Sequence, residues 1–341
     1  MNPLSLPLRR SIKNTTTPAE AFYGLDHAVL NIPLPPPSMW MNLGYWKDTN
    51  DFPIACAALL DQVLITAGLL DEDDIGRVED GKRVNLVDVG IGCGDQSLRC
   101  LGYKRASSNE EGEGGKRRPL FDSYIGITSL PIQASFAKQR VETLLSSTRD
   151  QADEKETPRA QIYCANAALP STWFDEIKST LPIPIPNSNP EDNDSENWLL
   201  ALDTLYHYTP SRTPLLRYTH DTLHANLASF DLILPTPTPT LFNRLLLRLL
   251  CLLAGIPYSN FLSEAEYISL LIDAGYDANK IVFRDISEHV FPGISTFVKQ
   301  RAEEGRIFGL GKTGKFRGAG RLFSWWGRSG VVRGVIVIAR I

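Results

Sequence analysis

The 341-residue chain carries 35 basic and 39 acidic residues, a formal net charge of −4, and 43% of its residues are hydrophobic. That balance excludes a protein that binds polyanions through bulk charge, and it supplies core for one large α/β domain or two small ones. Five cysteines (Cys56, Cys93, Cys100, Cys164 and Cys251) form no C-x-x-C pair, so they read as buried thiols in a reducing compartment, not as a disulfide framework or zinc site. No apolar run reaches the roughly 18–20 residues of a spanning helix. Leu241–Ile256, the longest candidate, is shorter and includes Arg244 and Arg248. Arg9, Arg10 and Lys13, with no acid before Glu20, read as a basic tail, a mitochondrial leader being the alternative. A cytoplasmic location is expected, with mitochondrial or peripheral membrane placement as alternatives.

Thr17-Pro18-Ala19-Glu20 has capping-box spacing, so a short helix is expected to start there. A proline-rich bend, Pro33–Pro37, leads into the aromatic stretch Met39–Trp46. Pro53–Leu69 reads as an amphipathic helix closed at Gly68. Strands are expected near Leu86–Val89, Tyr124–Ile127, Gln161–Cys164, Leu199–Leu202, Phe230–Leu234, Ile281–Phe283 and Val331–Ile338, with helices between most of them. Such alternation implies an α/β fold, a mostly parallel sheet with helices on both faces. Polar stretches near 105–118, 146–158 and 181–197 read as surface insertions. The expected division is an N-terminal tail and cap over 1–38, then one domain over 39–341.

Asp88-Val89-Gly90-Ile91-Gly92-Cys93-Gly94-Asp95-Gln96 joins the first strand pattern to a helical one. Glycines at such a turn let a nucleotide cofactor lie against the backbone. A dinucleotide wants G-x-G-x-x-G, with its pyrophosphate on the helix N-terminus. Here the glycines read G-x-G-x-G and Asp95 follows, a carboxylate that would repel a pyrophosphate. S-adenosylmethionine (SAM), with a sulfonium, an ammonium and no phosphate, tolerates it, and Asp88 points the same way. The competing readings are a turn without ligand, and NAD or FAD binding.

With Asn42-Leu43-Gly44-Tyr45-Trp46 and the regular alternation, these residues make the chain resemble class I SAM-dependent methyltransferases. It is most similar to the small-molecule branch that includes the tocopherol and rebeccamycin-type enzymes. The likeness covers roughly residues 39–286, with a closing strand at 331–338. Gly126-Ile127-Thr128 with Gln133 is similar to that branch's second motif. Ala201-Leu202-Asp203-Thr204-Leu205-Tyr206-His207 is similar to its fourth-strand motif, an acid four residues before a histidine. Ala265-Glu266-Tyr267 through Ala274-Gly275-Tyr276 looks like its late helix and A-G-aromatic ending.

The resemblance implies a Rossmann-like seven-stranded sheet whose last strand is antiparallel, SAM as cofactor, and a lid over about 235–262. It implies cofactor contacts at Asp88, Gly90, Gly92, Gly94, Asp95, Thr128, Gln133, Asn166, Ala167, Asp203 and Tyr45. It also implies His207 as catalytic base, oriented by Asp203 or Asp231. The sequence departs from the family at three places. Thr128 stands where an acid grips the ribose, Asn166 where an acid meets the adenine, and Ser229 at the fifth-strand acid, with Asp231 close by.

His207 falls at the carboxyl edge where open α/β sheets bind ligands, and imidazole is a natural base near neutral pH. A loop histidine with a structural hydrogen bond is the competing reading. Tyr206 and Tyr208 could shape an acceptor pocket. Trp40, Tyr45 and Trp46 either close over a sulfonium through cation–π attraction or pack the N-terminal cap. His220 and His224, four apart, lack a third ligand, and no metal is expected. Asn243–Leu253 suggests an apolar acceptor, a membrane surface, or ordinary burial. From Lys299 onward ten basic residues face two acids, most simply a solvated connection, with anionic lipid or RNA as the alternative contact. Gly309-Leu310-Gly311-Lys312-Thr313 echoes a phosphate loop, but Gly305 lies one residue too far upstream.

The expected function is methyl transfer from SAM to a small, apolar or lipid-like acceptor. The alternatives are a non-catalytic SAM-binding regulatory protein, and an RNA methyltransferase using the basic C-terminal tract. No nucleic-acid partner is otherwise expected, peripheral membrane contact through the lid or the basic C-terminal tract is an alternative, and the oligomeric state is left open.

Overall fold

The computed structural model describes residues 30, 32–78, 82–105, 118–149, 158–182, 195–310 and 314–341. The helix start expected at Thr17–Glu20, most of the 1–38 tail and most of the three insertions lie outside the described residues.

Runs of β-branched and aliphatic residues form seven strands, the central ones buried at nearly every position because both faces of the sheet are covered. They are β1 (Arg83–Val89), β2 (Ser123–Thr128), β3 (Arg159–Cys164), β4 (Ser195–Leu202), β5 (Ala225–Ile233), β6 (Ile281–Asp285) and β7 (Arg333–Ala339). Their order is β3-β2-β1-β4-β5-β7-β6, parallel except for β7, which runs antiparallel to both neighbours. All seven expected strands are present.

Nine helices are described: α1 (Phe52–Thr66), α2 (Asp95–Gly102), α3 (Pro131–Arg149), α4 (Asp175–Thr180), α5 (Thr213–Asp221), α6 (Leu241–Ala254), α7 (Glu264–Asp273), α8 (Ser287–Ile307) and α9 (Gly314–Ser329). The α1 start is set by Asp51, whose side chain accepts from the Ile54 N–H at 3.0 Å. The α7 start is the capping box Ser263/Glu266.

Side chains alternate between the two sheet faces. Val84, Leu86, Trp198, Leu200, Phe230 and Ile336 pack on the α1, α8 and α9 side. Val87, Val89, Leu199, Leu227, Val335 and Val337 pack against α5 and α7. Strand order reverses between β1 and β4, so the carboxyl ends of these two strands open a crevice.

The tract after Lys299 corrects its sequence expectation. Instead of a solvated connection it holds the end of α8 and then α9, packed on each other. Gly320 permits this approach, since a Cβ there would lie 2.7 Å from Lys299 Cγ, and Ser295 Oγ donates to the Gly320 carbonyl at 2.9 Å. Among the described residues no helix is long and apolar enough to cross a membrane.

Candidate active site

The crevice holds a cavity of about 740 Å3 built from four strand ends and the segment Met39–Asn42. The β1 turn and the start of α2 supply Gly90, Ile91, Gly92, Cys93, Asp95 and Gln96, the end of β2 supplies Ile127, Thr128 and Ser129, and the first turn of α3 supplies Gln133. Residues after β3 contribute Asn166, Ala167 and Phe174, and those after β4 contribute Asp203, Tyr206, His207 and Tyr208.

The three turn glycines all have positive φ but serve different needs. A Cβ on Gly90 would strike Thr204 Oγ1 at 2.6 Å, and one on Gly94 would strike Ala137 Cβ at 2.9 Å. A Cβ on Gly92 would meet nothing within 4 Å and so would project into unfilled space. Gly94 does not line the cavity, which corrects its expected cofactor contact; it seats α2 against α3.

Asp95 lines the cavity but is not free. Arg140 grips it with two hydrogen bonds of 2.8 and 2.9 Å and also donates to the Cys93 carbonyl. The Met39 N–H reaches both Asp95 oxygens at 3.1–3.2 Å. Its charge is therefore largely met by Arg140, although the carboxylate still lines the cavity. The cavity's electrostatic character comes instead from the whole lining. Among the described residues no lysine or arginine side chain lines it, so a pyrophosphate would find no counter-charge.

Asp88 also departs from expectation. It is fully buried beneath the turn, accepting from Gln96 Nε2 and from the Tyr124 hydroxyl at 2.6 Å, and it does not reach the cavity. Burial pushes its carboxyl up to about 7.

Thr128 and Gln133 meet at the cavity rim, the Thr128 hydroxyl donating to Gln133 Oε1 at 3.1 Å. Asn166 Oδ1 is taken by the Ala168 N–H at 3.0 Å, and no protein acceptor takes its Nδ2 among the described residues.

At β4, Asp203 is held at φ +58 and accepts from the Leu43 N–H at 2.9 Å and the Tyr206 hydroxyl at 3.0 Å. Burial pushes its carboxyl up to about 8. Asp95 and Asp203 thus pin the two ends of Met39–Leu43, a strap across the cavity whose anchoring by these two acids sequence reasoning did not foresee. A backbone N–H leaves no residue-type signal.

His207 faces the cavity with its ring 4.2 Å from that of Tyr206, and the surrounding protein depresses its pKa below the usual value. Among the described residues no hydrogen bond joins His207 to Asp203 or Asp231, a correction to the expected acid–histidine pair. Asp231 lies outside the cavity, bound to Arg212, to the Tyr267 hydroxyl at 2.9 Å and to the Leu232 N–H at 2.8 Å. The strand's period of two sends it toward α7, and Ser229 Oγ points at the Val337 carbonyl of β7.

Of the aromatics, Trp40 lines the cavity. Tyr45 does not, correcting its expected cofactor contact. It is buried edge-on to His289 at 5.1 Å, while Trp46 packs against Phe52 and Phe297. His220 packs edge-on to Tyr276 at 5.2 Å, with Asp221 Oδ1 2.8 Å from its Nδ1.

No family model matches the sequence, and no curated protein matches it. Solved structures do. The cyclase SpnF is 16% identical, with 93% of this chain and 91% of that one covered at a TM-score of 0.54. The mycolic acid cyclopropane synthase CmaA1, complexed with SAH and CTAB, is 13% identical, with 89% and 91% covered at 0.56. A Galdieria sulphuraria protein described as a sarcosine dimethylglycine methyltransferase is 11% identical, with 94% and 98% covered at 0.56. At these identities the likeness is one of architecture, and the chain has the Rossmann-like fold of these proteins.

Proposed function

We propose that the chain is a SAM-dependent methyltransferase acting on a small, apolar or lipid-like acceptor. The observation that carries this reading is the cavity: glycine-cradled at a topological switch point, roomy above Gly92, and without a cationic side chain among the described residues. A donor with a sulfonium and no phosphate suits that lining. The neighbour crystallised with SAH and the motif likeness to tocopherol and rebeccamycin-type enzymes support the same reading.

The backbone at Gly90 and Gly92, with Thr128, Gln133, Asn166 and Ala167, would hold the donor. Bound there, SAM supplies an electrophilic methyl group. Asp95 and Asp203 act as positioning residues, keeping the Met39–Leu43 strap over the cavity. Trp40, Tyr206 and Tyr208 exclude water, so that most of the rate comes from alignment in a dry space. His207, neutral at pH 7, takes the acceptor's proton where the acceptor is a hydroxyl or an acidic carbon; an amine or thiolate acceptor needs no such base. The unit over 39–341 works as one domain, with 1–38 as tail and cap and about 235–262 as lid, in a reducing, cytoplasmic setting.

The test has two parts. Calorimetry should register SAM and its demethylated product but not NAD. Incubation with methyl-labelled SAM and fractionated lipids or metabolites should label one product. Uptake of NAD without SAM would overturn the reading. SAM binding with no labelled product in any fraction would favour the non-catalytic alternative.

A further inference from the structure

A soluble helix normally turns its apolar stripe to the core and its polar face to water. α6 does the reverse. Only Leu247 and Cys251 are buried, while Leu241, Phe242, Leu245, Leu249, Leu252 and Leu253 are each between 52% and 77% exposed. At about 100° per residue these six fall within about 120° of arc, one continuous greasy stripe. Scattered exposed leucines need no explanation, but a contiguous row marks a contact surface.

The charges around it say what kind. α6 has no acid, and Arg248 borders the stripe, its guanidinium 4.8 Å over the Tyr258 ring. Tyr258 pairs with Phe261, and Phe261 meets Trp326 of α9 at 6.5 Å, which joins α9 to the turn after α6. α9 is likewise free of acids. Arg321 and Arg328 lie within about 20° of each other and about 140–160° round from buried Trp326, on its solvent side. Neither enters an ion pair among the described residues. Asn260 then links this region to the cavity, its side-chain amide donating to the carbonyls of Tyr206 at 3.1 Å and Tyr208 at 2.7 Å.

We infer that α6 beds its leucine stripe into an anionic phospholipid surface, with Arg248, Arg321 and Arg328 meeting the headgroups. This inference goes beyond the proposed methyl transfer and does not require it. Its geometry would bring the Tyr206–Tyr208 wall of the cavity next to the bilayer.

Vesicle sedimentation of the full chain tests it without reference to turnover. The chain should pellet with equimolar phosphatidylcholine and phosphatidylserine, and far less with phosphatidylcholine alone. Leu249→Asn with Leu252→Asn should weaken partitioning at least about tenfold. Arg321→Ser with Arg328→Ser should weaken it about tenfold on anionic vesicles only. All four positions face solvent, so thermal melts should match the parent chain. No pelleting of the parent chain, or equal pelleting of the leucine variant, would overturn the proposal. So would a dimer that the leucine changes dissociate, which assigns the stripe to a second copy. A lowered melt with vesicle binding intact would assign it to an intramolecular partner and overturn it equally.

Discussion

Asp203 Oδ2 accepts the Leu43 N–H at 2.9 Å across 160 positions of sequence, and the Tyr206 hydroxyl takes the other oxygen. The fourth-strand acid therefore fastens the N-terminal strap to the cavity wall and is engaged by protein on both oxygens. Asp203→Leu removes both acceptors and strands a partly buried N–H. A stability loss of about 1–3 kcal/mol in urea is expected, with SAM affinity falling about tenfold by calorimetry. Unchanged affinity would show that the strap is not needed for binding.

Arg140 plays the matching part at the other end. Arg140→Leu leaves Asp95 with one of its two partners, Met39, and no counter-charge. Because Arg140 is partly solvent-accessible, the expected loss is about 1–2 kcal/mol, below that of a fully buried pair. A double-mutant cycle with Asp95→Asn should recover most of that loss. Strict additivity would sink the pairing.

Asp88, fully buried, and Asp203, half-buried at the cavity wall, set a pH dependence. Asp88 is raised from 3.8 to about 7 and Asp203 to about 8, so between about pH 4 and those values the folded chain holds protons that the unfolded chain releases. Their stabilising contribution is full below about pH 4 and is lost as pH rises to about 7 and 8, with a slope of at most about 1.4 kcal/mol per unit for each. Asp88→Asn should flatten urea-derived stability between pH 5 and 7. An unaltered slope would mean that Asp88 is not the group titrating.

The turn glycines separate folding from binding. Gly92→Ala has space and costs only the strain of its positive φ, about 1–2 kcal/mol, yet it fills the cradle and should abolish SAM binding. Gly94→Ala must push Ala137 aside and should cost more in folding. Loss of binding in a melt-competent Gly92→Ala, measured by calorimetry, checks this.

His207→Ala should leave SAM affinity intact and cut turnover about 10²–10⁴-fold if the acceptor needs deprotonation. With its pKa depressed by burial below that of a free imidazole, the parent profile should hold its plateau to a lower pH than an unperturbed histidine would allow, and fall only as His207 protonates. Unchanged turnover would remove His207 from the mechanism.

What was legible in advance is what depends on neighbours along the chain. Short apolar runs set between helical patterns declared all seven strands, and Gly90-Ile91-Gly92 declared the cradle, because strand and turn conformation are set by a few consecutive residues. The placing of Thr128, Gln133, Asn166 and His207 around one cavity followed from strand order, which the alternation implied. The fates of the four acids did not. Asp88, Asp95, Asp203 and Asp231 look equivalent as letters at strand ends, yet each is committed by a partner that packing alone supplies: Tyr124, Arg140, Leu43 and Arg212. A carboxylate's role depends on which donors reach it in three dimensions and on how much water remains, and the same applies to α6. Its leucines were plain in the sequence, but only the fold turned them outward, since burial belongs to the assembled surface and not to the helix.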